Sequence, residues 1–335
     1  MFCDLTADEI AAELAQAVGP DHASRTAAIG RSAAILRPAG ATQRLDDVAI
    51  HLAAWQRTAS PHVNSPAAII FAADHGVAAD GVSAYPSEVT AAMLAAFRAS
   101  KASVSALAQV AGASVTAVDV GVGDPTGNLR IEAALSHERF TNAFNVGRLS
   151  VAEIDTDLLI LGEMGIGNTT AAAAVTAAIM GGDPAIVVGR GTGVDDAVFA
   201  AKQQVVADAV DRIRPVTDPL EILREVGGAE LVAIAGAMVE ARLRSIPVLL
   251  DGYIASTPAL VLHKLNPTAT ANQLAGHTSA EPGHRLILDA LELEPLLALD
   301  LRLGEASGAM AAVPLVKMAC ALLNEVPTFP EWFGE

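Results

Sequence analysis

Two glutamates, one glycine-rich turn and one lysine are the residues of this chain best suited to chemistry. Glu163 stands in Leu161-Gly162-Glu163-Met164-Gly165, and Glu305 in Leu303-Gly304-Glu305-Ala306-Ser307-Gly308. Both runs are expected to put a glutamate at a strand end, before small residues and a helix, so that two carboxylates face one site. A carboxyl group in an apolar, partly buried place keeps its proton to higher pH and can act as a general base near neutrality. Surface and capping roles are commoner for glutamate and remain the alternative for either residue alone. Around Glu163, Asp157 to Leu161 reads as a strand buried on both faces. A glycine-rich turn follows, and Thr169 and Thr170 open an alanine-rich helix that runs to Met180. Strand, turn and helix start make an anion site at Gly165, Ile166, Gly167, Asn168 and Thr169, where amides without a partner and the helix dipole favour a phosphate. A tight turn without a ligand fits the same local pattern. The Gly-Lys-Ser/Thr ending of a Walker loop and the third glycine of a dinucleotide fingerprint are both missing. A carboxylate beside a phosphate is unfavourable unless it has a task, such as holding a substrate hydroxyl or a base.

Other polar residues gather around these. Lys202 follows a second glycine turn, Gly189-Arg190-Gly191-Thr192-Gly193; its spacing alone suits a solvated helix face. Arg190 can reach an anion or cap its own turn. Asp74, Asp119 and Asp251 each follow an apolar run and precede a glycine within two residues. Singly each reads as a turn residue. Together they point to a polar crevice at the C-terminal edge of a parallel sheet, where ligands bind in such folds. His75, next to Asp74, reads as a hydrogen-bonded histidine that orders this crevice. No metal is expected, since His277 and His284 lie seven apart and no His-x-x-x-His pattern occurs. No nucleophile elbow occurs, and Cys3 and Cys320 lack a reactive context. A phosphate site with nearby carboxylates and no cofactor is compatible with attack at a ribose carbon.

The elements that must position these groups alternate. Helices are expected at Ile10 to Val18 (with Thr6 and Glu9 as a capping box), Ala23 to Leu36 and Leu45 to Arg57, and Ser60 to Pro66 is a linker. Strands are expected at Ala67 to Ala72, Ser114 to Val118, Ala185 to Val188, Pro247 to Leu250 and Leu296 to Leu301, with helices at Ser87 to Ala99, Ser103 to Ala111, one capped near Asp195 or Asp196, at Leu231 to Arg244 and at Pro314 to Leu323. Alternation of this kind means a parallel sheet flanked by helices. The chain has 335 residues, 52% of them hydrophobic and 4% aromatic, so the core is built from Ala, Val, Leu and Ile. Its net charge of −17 argues against nucleic acid and anionic membranes as partners. Apolar stretches are broken by charges, Gly or Pro before they reach the length of a membrane span, and a cytoplasmic protein is expected.

Six runs resemble the nicotinate-nucleotide:dimethylbenzimidazole phosphoribosyltransferases of cobalamin synthesis. They are Phe71 to Thr90, Gly162 to Thr170, Gly189 to Asp196, Leu249 to Gly252, Ala275 to His284 and Leu301 to Gly308, in consistent order between about Arg37 and Thr328. The resemblance implies an α/β fold, a parallel Rossmann-like sheet flanked by helices, with a small helical domain built from both chain termini. The expected boundaries are 1–60 and 305–335 for the helical part and 66–304 for the catalytic part. It implies a homodimer that takes nicotinate mononucleotide and a benzimidazole-type base as substrates. Phosphoribose would pass to 5,6-dimethylbenzimidazole, giving α-ribazole 5′-phosphate and nicotinate. Glu305 matches the family's catalytic base, Gly165 to Thr169 its phosphate contacts, and Glu163 and Lys202 further active-site positions. Tyr85 and Met93 would line the base pocket. Two departures stand out. Arg139 to Asp157 looks too short for the helix and both connections that the family places there, and Arg37-Pro-Ala-Gly-Ala-Thr-Gln-Arg-Leu45 alters an entry motif. Another acceptor, such as adenine, another azole or a phenol, or a non-catalytic nucleotide-binding relative, are the competing readings.

Overall fold

The structure is a computed structural model that describes residues 6–191 and 193–334. Cys3, Asp4 and Thr192 of the second glycine turn lie outside the described residues. Thr6 and Glu9 form the expected capping box on helix Ala7–Gln16. Six strands follow in the chain: β1 (Pro66–Ala72), β2 (Ser114–Asp119), β3 (Leu158–Met164), β4 (Val248–Leu250), β5 (Gln273–His277) and β6 (Pro295–Leu297). They form one sheet in the order β2-β1-β3-β4-β5-β6, parallel at every pairing.

Every residue of β1 is buried, because helices cover both faces of the sheet. The period of two sorts its side chains. Ile69 and Phe71, with Leu159, Leu161 and Leu250, enter one core. Ala68 and Ile70, with Leu158, Ile160 and Leu249, enter the other. Helices His22–Ala34, Gln43–Gln56 and Ser307–Glu325 supply Ala28, Leu52 and Val313 to the second core, so both chain ends meet on one face. Ile10 and Leu14 of helix Ala7–Gln16 go to the first core instead. Helix Ser307–Glu325 is long and apolar enough to cross a membrane by length and composition. It carries Gly308, Pro314 and Lys317, and Lys317 Nζ donates to Ala111 O at 2.6 Å. Its apolar face is spent on the interior.

The segment before β3 corrects the sequence expectation. Residues 137–157 hold a helix of 16 residues, His137–Ala152, and still leave a link to β3. Ser136 caps it by accepting the Arg139 N–H at 3.2 Å. Glycine lets it lie close to helix Ala229–Leu243: a Cβ on Gly147 would stand 1.8 Å from Ala233 O. The expected strand at Ala185 to Val188 is a 3₁₀ turn, Pro184–Val187. Asp183 caps it through the Ala185 N–H at 3.0 Å, and the proline sits where its missing donor costs nothing. β3 runs on through Met164, so Glu163 lies inside the strand and the turn is confined to Gly165–Gly167. Glu305 is not at a strand end: β6 closes at Leu297, and Glu305 lies two residues before helix Ser307–Glu325. Helices Pro219–Val226, Tyr253–Leu265 and Pro282–Ala290 and strand β5 had no counterpart in the reading of the sequence.

Candidate active site

The order of the strands reverses at β1, which pairs with β2 on one side and β3 on the other. Open parallel sheets bind ligands outside the C-terminal ends of their strands near such a point. Here a cavity of about 370 Å³ opens beyond β3, β4 and β5. Glu163, Gly165, Ile166, Asn168 and Thr169 line one part of it, Tyr85, Val89 and Met93 another, and Gly304 and Glu305 a third.

The glycine turn expected to hold a phosphate lies between β3 and helix Asn168–Met180. Gly167 is the N-cap of helix Asn168–Met180, with φ 99°, and no side chain caps the helix. Asn168 N–H already bonds Gly165 O at 3.1 Å and Thr170 N–H bonds Gly167 O at 2.9 Å, so the positive end of the helix dipole and the Thr169 N–H are what this end offers a ligand. Ala171 to Val175 are fully buried, which fixes the helix rigidly behind the turn. Gly167 itself packs below against His75 and Val77 and does not line the cavity. Lys202 also lies below the surface, 1% exposed. Its Nζ donates to Thr169 Oγ1 at 2.8 Å and to Gly189 O at 3.1 Å, tying the two glycine turns together. Burial pulls the Lys202 ammonium down to about 8, against the attraction of Glu281. The solvated helix face that its spacing suits is thus not where it lies.

The two glutamates meet because the backbone between them is close. A Cβ on Gly162 would come 2.6 Å from Ala306 N, and one on Gly304 would come 2.3 Å from Glu163 Oε1. Glu305 and Ala306 both take left-handed conformations, φ 59° and 63°. Successive non-glycine residues in that region cost strain, and the loop keeps it where Glu305 enters the cavity. Burial pushes the Glu163 carboxyl up to about 8, with Asp251, Glu230 and Glu305 adding to the rise and the Asn168 hydrogen bond opposing it. Burial and then Asp251 push Glu305 up to about 7. Glu163 keeps its proton at neutral pH, while Glu305 is poised to exchange one.

The remaining expected residues divide. Asp251 is 1% exposed and accepts the Ala309 N–H at 2.8 Å, so it lies beneath the cavity. His75 is buried and its Nε2 faces Glu230 Oε1 at 2.7 Å. This pair supports the glycine turn from behind; a Cβ on Gly165 would come 3.0 Å from His75 Nε2. Asp74 does not line the cavity. It accepts the Gly123 N–H at 2.8 Å, and Asp119 accepts those of Gly121 and Val122, so both serve the loops after their strands. Arg190 caps its own turn, donating to Val194 O at 2.9 Å and stacking over Phe199. Cys320 is buried in its helix, its thiol pushed up to about 12.

Several lining residues carried no role in the sequence reading. His277, Ser279 and Glu281 come off the end of β5, and Glu281 Oε1 accepts the Gly191 N–H at 3.0 Å. His277 is 3% exposed, 3.4 Å from Asp251 Oδ1, with no hydrogen bond to either ring nitrogen. Tyr253 and Arg302 complete the wall. The signal was a short apolar run followed by polar residues, but Gln273-Leu-Ala-Gly-His277 is too brief and too polar to stand out as a strand.

A family model described as a phosphoribosyltransferase matches residues 18–332. The chain belongs to this phosphoribosyltransferase family. The family's members include the nicotinate-nucleotide–dimethylbenzimidazole phosphoribosyltransferase of Cereibacter sphaeroides (strain ATCC 17025 / ATH 2.4.3), 44% identical over 93% of this chain and 92% of its own length. The enzyme of that name from Mycobacterium avium (strain 104) is 44% identical over 95% of this chain and 97% of its own. A crystal structure of the nicotinate-nucleotide–dimethylbenzimidazole phosphoribosyltransferase of Thermus thermophilus superposes with a TM-score of 0.89 at 40% identity, covering 94% of this chain and 99% of that one. As a member of this family the chain is an enzyme of phosphoribosyl transfer, and Glu163, Glu305 and residues of its glycine turn line one cavity.

Proposed function

We propose that this phosphoribosyltransferase moves phosphoribose from nicotinate mononucleotide to 5,6-dimethylbenzimidazole, giving α-ribazole 5′-phosphate and nicotinate, a step in making the lower ligand of cobalamin. One observation carries the reading: a carboxyl group poised near neutrality, Glu305, shares a cavity with an uncapped helix N-terminus suited to a phosphate. The names of the relatives supply the two substrates.

The nucleotide's 5′-phosphate sits at Gly165, Ile166, Asn168 and Thr169, with Lys202 holding Thr169 in place. The acceptor base lies against Tyr85, Val89 and Met93, an aromatic and two apolar side chains that suit a flat dimethylated ring. Glu305 takes the N–H proton of the benzimidazole. The other ring nitrogen attacks C1′ of the ribose. The bond from C1′ to the pyridine nitrogen breaks, and its electron pair stays on that nitrogen as nicotinate leaves. Attack from the opposite face inverts C1′ and gives the α linkage. Protonated Glu163 donates to a ribose hydroxyl or to the acceptor base, so it adds no negative charge beside the phosphate. A homodimer working in the cytoplasm is part of the same reading.

Chromatography of reaction mixtures containing nicotinate mononucleotide and a panel of benzimidazole, purine and phenol acceptors tests it. Nicotinate release that depends on 5,6-dimethylbenzimidazole is expected. No release with any acceptor sinks the proposal, and release with adenine or a phenol alone replaces the acceptor.

A further inference from the structure

The wall of the cavity is acidic, with Glu163, Glu281 and Glu305 upon it. Arg302 is the only lysine or arginine among the described residues that line it. It is exposed, three positions before Glu305, on the loop that joins β6 to helix Ser307–Glu325. No hydrogen bond or ion pair with another described residue engages its guanidinium, although three carboxyl groups share the cavity with it. In a chain of net charge −17, whose other arginines are widely paired, a guanidinium left free at a ligand cavity is available to a ligand anion.

This inference rests on the proposed substrate. Nicotinate mononucleotide carries two anionic groups, the 5′-phosphate and the carboxylate on its pyridine ring. The phosphate has its own place at the turn opening helix Asn168–Met180, backed by Lys202. The ring carboxylate, held away from the phosphate by the ribose, needs a cation of its own, and Arg302 is the one that the described residues of the cavity wall supply. We propose that Arg302 binds this carboxylate and makes the enzyme select the acid nucleotide over its amide, nicotinamide mononucleotide. The planar fork of a guanidinium matches a carboxylate with two parallel hydrogen bonds and has nothing equivalent to offer a carboxamide, which lacks the charge. The contact exists before and after bond cleavage, so it acts on substrate capture rather than on the chemical step.

The test measures kcat/KM for the acid and the amide nucleotide with dimethylbenzimidazole in excess, for the wild-type chain, Arg302→Leu and Arg302→Lys. For Arg302→Leu, kcat/KM for the acid is expected to fall about ten- to a hundredfold, mainly through KM, while that for the amide stays within about twofold. Arg302→Lys is expected to lie between the two, since a point charge keeps the attraction without the fork. Turnover of the amide reports that each variant is folded. Equal losses on both nucleotides would place Arg302 at the phosphate or in the scaffold and overturn the inference. An unchanged preference for the acid overturns it as well. A wild-type chain that consumes neither nucleotide overturns the functional reading itself, and with it the role of Arg302.

Discussion

At the scale of the residue, the environment of Glu305 decides what it can do. Its carboxyl is raised to about 7 by burial and then by Asp251. A base must be ionised to accept a proton, so kcat/KM is expected to climb as pH rises through about 7 and then level off. Glu305→Gln removes the base but keeps the shape. Turnover is expected to fall by about 10²- to 10⁴-fold while nicotinate mononucleotide still binds. Rates near wild type in that variant would refute the assignment. Glu163 makes a separate prediction about stability. Its folded value, about 8, stands above its ordinary 4.5, so the folded chain holds a proton that the unfolded chain releases across that window. Stability from this group is therefore full below about 4.5 and declines as pH rises toward about 8. Glu163→Gln keeps an oxygen for the Asn168 amide and should flatten the decline in ligand-free protein, as read by urea unfolding at several pH values. Both assignments look past sequence pattern. The echo between Leu161–Gly165 and Leu303–Gly308 pointed to two glutamates at one site, yet the left-handed φ angles and the closeness of Gly162 to Ala306 appear only once the chain is folded.

At the scale of the element, the strand–turn–helix unit around Gly165 was legible because local signals agree. A buried apolar run, glycines and an alanine-rich helix start stand consecutively in the chain, and β3, its turn and helix Asn168–Met180 follow them closely. β5 and helix His137–Ala152 were not legible, for two different reasons. β5 pairs with β4 through three residues and with β6 through two, so the sheet around it, rather than its own propensity, makes it a strand. The helix has mixed polarity, and the glycine within it lowers its propensity; its stability comes from packing on helix Ala229–Leu243. That packing is testable. Gly147→Ala should gain roughly 1 kcal/mol of helix propensity. The new Cβ, however, would stand 1.8 Å from Ala233 O, which forces two helix backbones apart. Overpacking of this kind costs about 1–3 kcal/mol or more, and backbone against backbone lies at the upper end. A net loss of about 2 kcal/mol is expected in urea unfolding. A stabilised variant would mean that the two helices are not in contact.

At the scale of the whole molecule, the two chain ends close over one face of the sheet, and the helix that begins beside Glu305 ends in that closure. Arg31 is its main polar link. It donates from Nε to Leu323 O at 2.7 Å, from Nη2 to Val326 O at 3.2 Å and from Nη1 to Glu331 Oε1 at 2.9 Å. The carbonyls at the end of helix Ser307–Glu325 have no intrahelical donors, so Arg31 supplies the cation and the hydrogen bonds that such an end favours. Leu36 N–H donates to Pro327 O at 2.9 Å, and Ile35 bridges Thr328, which completes the clasp. The Arg31 side chain is 27% exposed and Glu331 51% exposed, so the ion pair is a small part of the gain and the bonds to carbonyls the larger. Arg31→Met keeps the aliphatic stem and removes the donors. A loss of about 2 kcal/mol in urea unfolding is expected, nearly independent of salt because the lost partners are mostly neutral. The far end of the same helix is anchored separately, by Asp251 on Ala309 and by the Ala306 loop against Gly162. In conditions where the variant remains folded, kcat should therefore stay within about twofold of wild type. A large fall in kcat without unfolding would show that the clasp of the chain ends sets the geometry of Glu305 through the length of the helix.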